Sequence, residues 1–502
     1  FPSFPHRHSH FTMSQAFKRA ASKVPLAFPN RPSLIRPLSH SAVRSAPAVS
    51  PLNQSFSASN QSLLQAWPTT QVTTLPNGLR VATEPGHGET ATVGVWIDTG
   101  SRYENQSNNG VAHFLEHMSF KGTLRRTRQA LEQEVENIGG HLNAYTSRES
   151  TVFYAKVFKN DVPQAMDILS DILTNSKIDA EDIERERDTI LREMKEVDGQ
   201  LEEVIFDRLH QTAYRGTALG RTILGTQQHI ETISRQDIKD YIATHYTAPR
   251  MVIAGAGAVQ HGQMVDLAKN LFGKVPSTPS NNIQPVLEPA RFTGSDILVR
   301  YDDMPQAYIA YGFATAGWRD PDNFALMLIQ TMLGSWEKSI HGGVHSSSQM
   351  VSTVAQYELA SSISAFNTQY SDTGLFGVFA VADATTLNNL MFTITRCISN
   401  LSYDVDATAL AEAKNQLKMN LLSHLDGSTV IAEDIGRQLL TYGRRMHPVE
   451  MIARIDAVDA AQIKQTARRY FQDRDHALAA IGPIWELPDY NWIRARSYQH
   501  LI

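Results

Sequence analysis

ISRQDIKDYIATHYTAPRMVIAGAGAV (residues 233–259) and VDAAQIKQTARRYFQDRDHALAAIGPI (residues 458–484) align with each other without a gap. Ile238-Lys239 meets Ile463-Lys464, Tyr246 meets Phe471, and Gly257 meets Gly482. Each stretch reads as an amphipathic helix followed by an apolar strand of small residues, and a pattern that returns far along the chain indicates a duplicated unit. A second recurrence lies early in each half, where VGVWIDTGSRYE (93–104) resembles AYIAYGFATAGWRD (307–320). Between the halves, VPSTPSNNIQPVLEPARFTGSD (275–296) is rich in Pro, Ser and Asn and has no periodicity, so it reads as a linker.

Working outward, Thr70 to Thr83 alternates around Pro76-Asn77-Gly78, a hairpin signal. Ala91 to Thr99 reads as a buried strand, Asn143 to Phe158 as another, and helical patterns cover 125–138, 161–174, 180–199, 200–213 and 234–245. Strands and helices mix without strict alternation, which predicts an α+β fold of two related domains, each a mostly antiparallel sheet with helices packed on it. The expected divisions are a leader at 1–65, a first domain at 66–274, a linker at 275–297 and a second domain at 298–502.

Composition narrows the chemistry. One cysteine, Cys397, excludes an intrachain disulfide framework and any multi-cysteine metal site, so a metal here needs His and carboxylate ligands. No apolar run approaches the roughly 20 residues that cross a bilayer. Seven Lys/Arg and no Asp or Glu fall in residues 1–60, although the chain as a whole carries a formal charge of -5. A basic, Ser-rich, acid-free leader on an acidic body predicts a mitochondrial transit peptide.

The sharpest motif is Asn109-Gly-Val-Ala-His113-Phe-Leu-Glu116-His117-Met118. On a helix, His113 and His117 project from one face and can share a zinc ion, while Glu116 sits beside that face in the inverted H-x-x-E-H order. The helix predicted over 180–199 offers a further ligand. Its apolar stripe Ile183, Ile190, Val197 also carries Glu186 and Glu193, and acids on an inward face need a cation or hydrogen-bond partners. Two His and one carboxylate leave a zinc position open, the catalytic pattern, with Glu116 placed to take a proton from water and pass it to a leaving amine. Peptide hydrolysis is the natural reaction.

With Ser119-Phe-Lys-Gly-Thr123, Leu142-Asn-Ala-Tyr-Thr-Ser-Arg-Glu149, Thr189-Ile-Leu-Arg-Glu193-Met-Lys-Glu196 and Phe366-Asn-Thr-Gln-Tyr370-Ser-Asp-Thr-Gly-Leu375, the chain resembles the pitrilysin family of zinc peptidases, in its mitochondrial processing branch. The resemblance runs from about Gln71 to Arg496. It implies one Zn2+ held by His113, His117 and Glu193, Glu116 as the base, and Glu186 as a supporting acid. It further implies that a substrate pairs as an added strand with Asn143, Ala144 and Tyr145, and that Glu203 and Asp207 recognise a substrate arginine near the scissile bond. The partners it implies are basic presequence peptides and an α-type or core II subunit bearing a glycine-rich loop, in the mitochondrial matrix or on the matrix face of the inner membrane. Gly334 to Gly343 lacks such a loop, so this chain is not itself the α-type subunit. The alternative is a catalytically inactive core I scaffold of the cytochrome bc1 complex. The Arg and Tyr pair that bacterial relatives use to hold the scissile carbonyl has no clear counterpart here, with Tyr370 as a weak candidate.

Overall fold

The structure, a computed structural model, describes residues 68–340 and 342–498. The leader read at 1–65 lies outside the described residues. Two six-stranded sheets organise the chain. The first takes the order β1-β2-β6-β3-β5-β4, with β1 Gln71–Thr74, β2 Arg80–Pro85, β3 Thr90–Ile97, β4 His141–Thr146, β5 Thr151–Phe158 and β6 Met251–Gly257. The second takes the order β7-β12-β8-β11-β10-β9, with β7 Ser295–Arg300, β8 Ala307–Thr315, β9 Ser335–Glu337, β10 Ser362–Gln369, β11 Gly374–Ala382 and β12 Ala477–Gly482.

The duplication is plain in the pairing. β2 with β6 and β7 with β12 are parallel, and every other pair in both sheets is antiparallel. The quoted repeats form the same unit twice, a helix at Arg235–His245 leading into β6 and a helix at Ala460–Tyr470 leading into β12. The sheets differ at one edge. Among the described residues, β4 ends the first sheet with no strand beyond it, whereas its counterpart β10 is covered over Ser362–Ser364 by the short β9.

The single strand read over 143–158 is a hairpin. Ser147-Arg148-Glu149-Ser150 breaks it, because Ser147 N–H donates to Ser150 O at 2.7 Å and the Ser147 and Ser150 hydroxyls lie 2.9 Å apart. Short polar side chains that bond to nearby backbone favour turns over ladders.

Four helices position the site: α1 Val111–Ser119, α2 Ala180–Asp198, α3 Leu201–Ala213 and α4 Ser428–Thr441. α3 lies in sequence between β5 and β6 of the first sheet yet packs on the second, where Val204, Ile205 and Leu209 bury against Leu375, Phe379, Ala477 and Ile481. α4 makes the reciprocal crossing, burying Ala432, Ile435 and Leu439 against Ala82, Trp96, Val152 and Val252 of the first sheet. Each half thus covers one apolar face of the other's sheet, while the opposite face of each sheet packs within its own half. A side-chain carbon at Gly436 would lie 2.2 Å from the Trp96 ring, so only glycine admits this contact between α4 and β3.

Candidate metal centre

α1 is buried along nearly its whole length, which suits the apolar Val111, Phe114, Leu115 and Met118 and forces the polar members of the motif to find partners. Its N-cap is Gly110, in the left-handed region at φ 102, where a side chain would strike Leu224 O at 2.4 Å. Glycine brings no capping oxygen, and Glu104 supplies one from a distance. The Glu104 carboxylate accepts from Gly110 N and Ala112 N, both at 2.8 Å, and from Asn109 Nδ2 at 2.7 Å. It satisfies helix N–H groups that have no intrahelical acceptor, at the positive end of the dipole. Burial pushes its carboxyl up to about 8 against those donors.

From α1, His113 and His117 converge with Glu193 of α2, one ligand atom from each lying within 4.8 Å of the others. His117 Nε2 is 3.1 Å and His113 Nε2 is 3.8 Å from Glu193 Oε2. On its other side, His117 Nδ1 lies 3.0 Å from Glu186 Oε2. A carboxylate accepts, so Nδ1 carries the proton, and in the neutral ring Nε2 is left with its lone pair toward Glu193 Oε2. Two acceptors at that separation repel unless a cation joins them, and the set of two imidazoles and one carboxylate is what zinc takes at a catalytic site. The residues present fit the metal.

Glu186 is fixed in turn by Lys121, whose Nζ lies 2.6 Å from Oε1. Burial raises the Glu186 carboxyl, but the hydrogen bonds from His117 and Lys121 outweigh it and hold the group below the usual glutamate range. Along the stripe on α2, Ile183, Ile190 and Val197 are buried, Glu186 lies against His117, and Glu193 faces the imidazoles.

Glu116 lies on the same helix and accepts from Thr146 Oγ1 at 2.7 Å, at the end of the free edge strand. Along that strand, Asn143 Oδ1 accepts from Ala144 N at 2.8 Å, so this amide points away from the β5 ladder, and the Tyr145 hydroxyl donates to Glu433 of α4. Glu203 and Asp207 lie on α3 in different surroundings. Glu203 is half-buried, whereas Asp207 is 5% exposed and holds Arg148 Nη2 at 2.7 Å. Tyr370 is buried in the second half, with its hydroxyl 2.7 Å from His210 Nε2. Sequence reasoning missed Lys121, Glu104 and Thr146 as parts of the site. Only Lys121 left a trace, as the residue one turn beyond His117.

Comparison with known proteins agrees with this geometry. Residues 80–227 match the family model Insulinase (Peptidase family M16), and residues 232–417 match the Peptidase M16 inactive domain. The chain is 57% identical over 443 residues to a probable mitochondrial-processing peptidase subunit beta of Arabidopsis thaliana, covering 88% of this chain and 83% of that protein. It is 51% identical over 426 residues to the mitochondrial-processing peptidase subunit beta of Bos taurus, covering 85% and 87%. Among solved structures, a chain of complex III2 from Candida albicans, with Inz-5 bound, superposes with a TM-score of 0.77 at 24% identity, over 86% of this chain and 100% of that one.

Proposed function

The chain belongs to peptidase family M16 and is a metallopeptidase, and from that premise we propose that it removes N-terminal presequences from proteins imported into mitochondria. The observation that carries this reading is the meeting of His113, His117 and Glu193 beside Glu116, at the uncovered edge of a sheet.

Each part has a task. An extended substrate adds to β4 through backbone pairing with Asn143, Ala144 and Tyr145, as edge strands commonly recruit peptides. His113, His117 and Glu193 hold one zinc ion, which when bound supplies Lewis-acid polarisation of the scissile carbonyl and of the attacking water. Glu116 accepts a proton from that water at a carboxylate oxygen and delivers it to the departing amine nitrogen. Glu186 keeps the His117 proton on Nδ1. Glu203 attracts the substrate arginine, while Asp207 on the same helix pairs with Arg148. We further propose an α-type subunit with a glycine-rich loop as partner, and the matrix or the matrix face of the inner membrane as location. No helix among the described residues is long and apolar enough to cross a membrane.

A second reading places the same chain in complex III as a core subunit, supported by the shared fold of the Candida albicans chain. Retention of His113, Glu116, His117 and Glu193 favours a working peptidase over a scaffold in either assembly. The test is to assemble the chain with an α-type subunit and measure cleavage of a presequence peptide before and after chelation and zinc return. Zinc-restored cleavage at the presequence junction is expected. Zinc-loaded heterodimer without cleavage would leave the scaffold reading.

A further inference from the structure

Glu116 sits on a helix fixed by Glu104, but its own carboxylate has a soft terminal torsion, broad and roughly two-fold for glutamate. A base must keep one oxygen aimed at the water it deprotonates, so something must hold the other. The structure provides that contact in Thr146, 4% exposed, whose Oγ1 donates to Glu116 Oε2 at 2.7 Å. Thr146 is in turn held from both sides by the half that carries no metal ligands. Before it, the Tyr145 hydroxyl donates to Glu433 of α4. After it, Glu149 accepts from Ser371 N at 2.9 Å and from Ser371 Oγ at 2.7 Å.

We propose that Thr146 is a positioning residue for the proteolytic reaction, holding the Glu116 carboxylate in its working orientation from the end of the strand that receives the substrate. This rests on the reading of Glu116 as the base. Strand and base then share one residue, so the register of β4 also sets the aim of the proton acceptor.

The test uses the assembled heterodimer and an arginine-bearing presequence peptide. Thr146→Val keeps the shape and removes the donor, so kcat should fall about 10- to 100-fold, the scale of a small misplacement of a reacting group, with KM little changed and zinc retained at one per chain. Thr146→Ser restores the hydroxyl and should recover most of the rate. On a Glu116→Gln background, Thr146→Val should add nothing further. Wild-type kcat in Thr146→Val, or equal losses for the Val and Ser variants, would overturn the assignment. So would an undiminished Thr146→Val effect on the Glu116→Gln background. Failure of the underlying reading shows separately, as Glu116→Gln working at the wild-type rate.

Discussion

Glu149 and Asp372, the third residues of the equivalent β4–β5 and β10–β11 turns, close on one guanidinium, that of Arg102. Arg102 Nη1 lies 2.5 Å from Glu149 Oε1 and Nη2 lies 2.7 Å from Asp372 Oδ1, with the arginine side chain fully buried. Arg102 Nη2 also donates to Glu288 O in the linker at 3.0 Å. One buried cation thus ties both halves and the segment joining them.

Removing that cation leaves two acids facing each other with their partner gone. Arg102→Met is expected to destabilise the chain by about 3–5 kcal/mol, the cost of breaking a buried pair from one side. Adding Glu149→Gln and Asp372→Asn should recover part of that loss. Chemical unfolding of the single and triple variants checks this. Equal stability of Arg102→Met and the parent would mean the cluster contributes nothing to holding the halves together.

The contact of Gly436 with Trp96 supports a second stability prediction. In a free helix, Gly→Ala favours the helix by about 1 kcal/mol, so a substitution judged on propensity alone should stabilise. At Gly436 the added carbon would lie 2.2 Å from Trp96, and α4 must lift from β3. Gly436→Ala should instead destabilise by about 1–3 kcal/mol, as overpacked cores do, and should change the environment of the tryptophan. A rise in unfolding temperature with unchanged Trp fluorescence would contradict the packing.

Much of this site is legible in the sequence because helical spacing turns residue intervals into faces. His113 with His117, and Glu186 with Glu193, follow from that alone. Contacts that depend on how a strand is registered against a helix do not, since nothing local relates Thr146 to Glu116, 30 residues away. The exchange of α3 and α4 is hidden for a similar reason: an apolar stripe says that a helix is covered, not by which sheet. Glu104 was hidden because Gly110 leaves the N-cap without a side chain, and a remote cap has no fixed spacing.

Three buried histidines, His210, His245 and His476, resist protonation in the folded chain. Burial, aided by Arg494 and Arg250 respectively, lowers His476 and His245 to about 3. In the unfolded chain each binds a proton near pH 6.5, which the folded form refuses until pH 3. Between those values the unfolded state holds more protons, so the contribution of each histidine is fully present above about pH 6.5 and is lost as the pH drops, by up to about 1.4 kcal/mol per pH unit for each site. The His476 ring stacks on Tyr490 with centroids 4.2 Å apart, and His476→Phe should preserve that stack and flatten this slope by one proton. Unfolding of the zinc-free chain at pH 7, 6 and 5 measures it, and an unchanged slope would show that His476 is protonated in the folded state.

Metal affinity should separate ligand from support. Glu193→Ala removes a donor and is expected to abolish stoichiometric zinc, as is His117→Ala. Glu186→Gln leaves an amide oxygen that still accepts from His117 Nδ1 but loses the charge, so zinc should weaken about 10- to 100-fold. Competition against a chelator of known affinity ranks the variants. If Glu186→Gln loses zinc as completely as Glu193→Ala, Glu186 is itself a ligand.

Arginine recognition is the last prediction, and burial divides the two acids on α3. A charge-assisted contact from half-buried Glu203 to a substrate arginine is worth about 1.5–3 kcal/mol, so Glu203→Gln should slow arginine-bearing peptides about 10- to 100-fold and hardly change matched peptides with alanine. Asp207 is already joined to Arg148, with both side chains at most 5% exposed. Asp207→Asn leaves a buried guanidinium short of its counter-charge, and the cost falls on the fold. Its variant should lose thermal stability and slow both peptides by a similar factor. Kinetics on the paired peptides, with an unfolding curve for each variant, distinguish the two. A selective arginine defect in Asp207→Asn at unchanged stability would mean that Arg148 releases Asp207 to the substrate, and that the ion pair exchanges partners as the peptide binds.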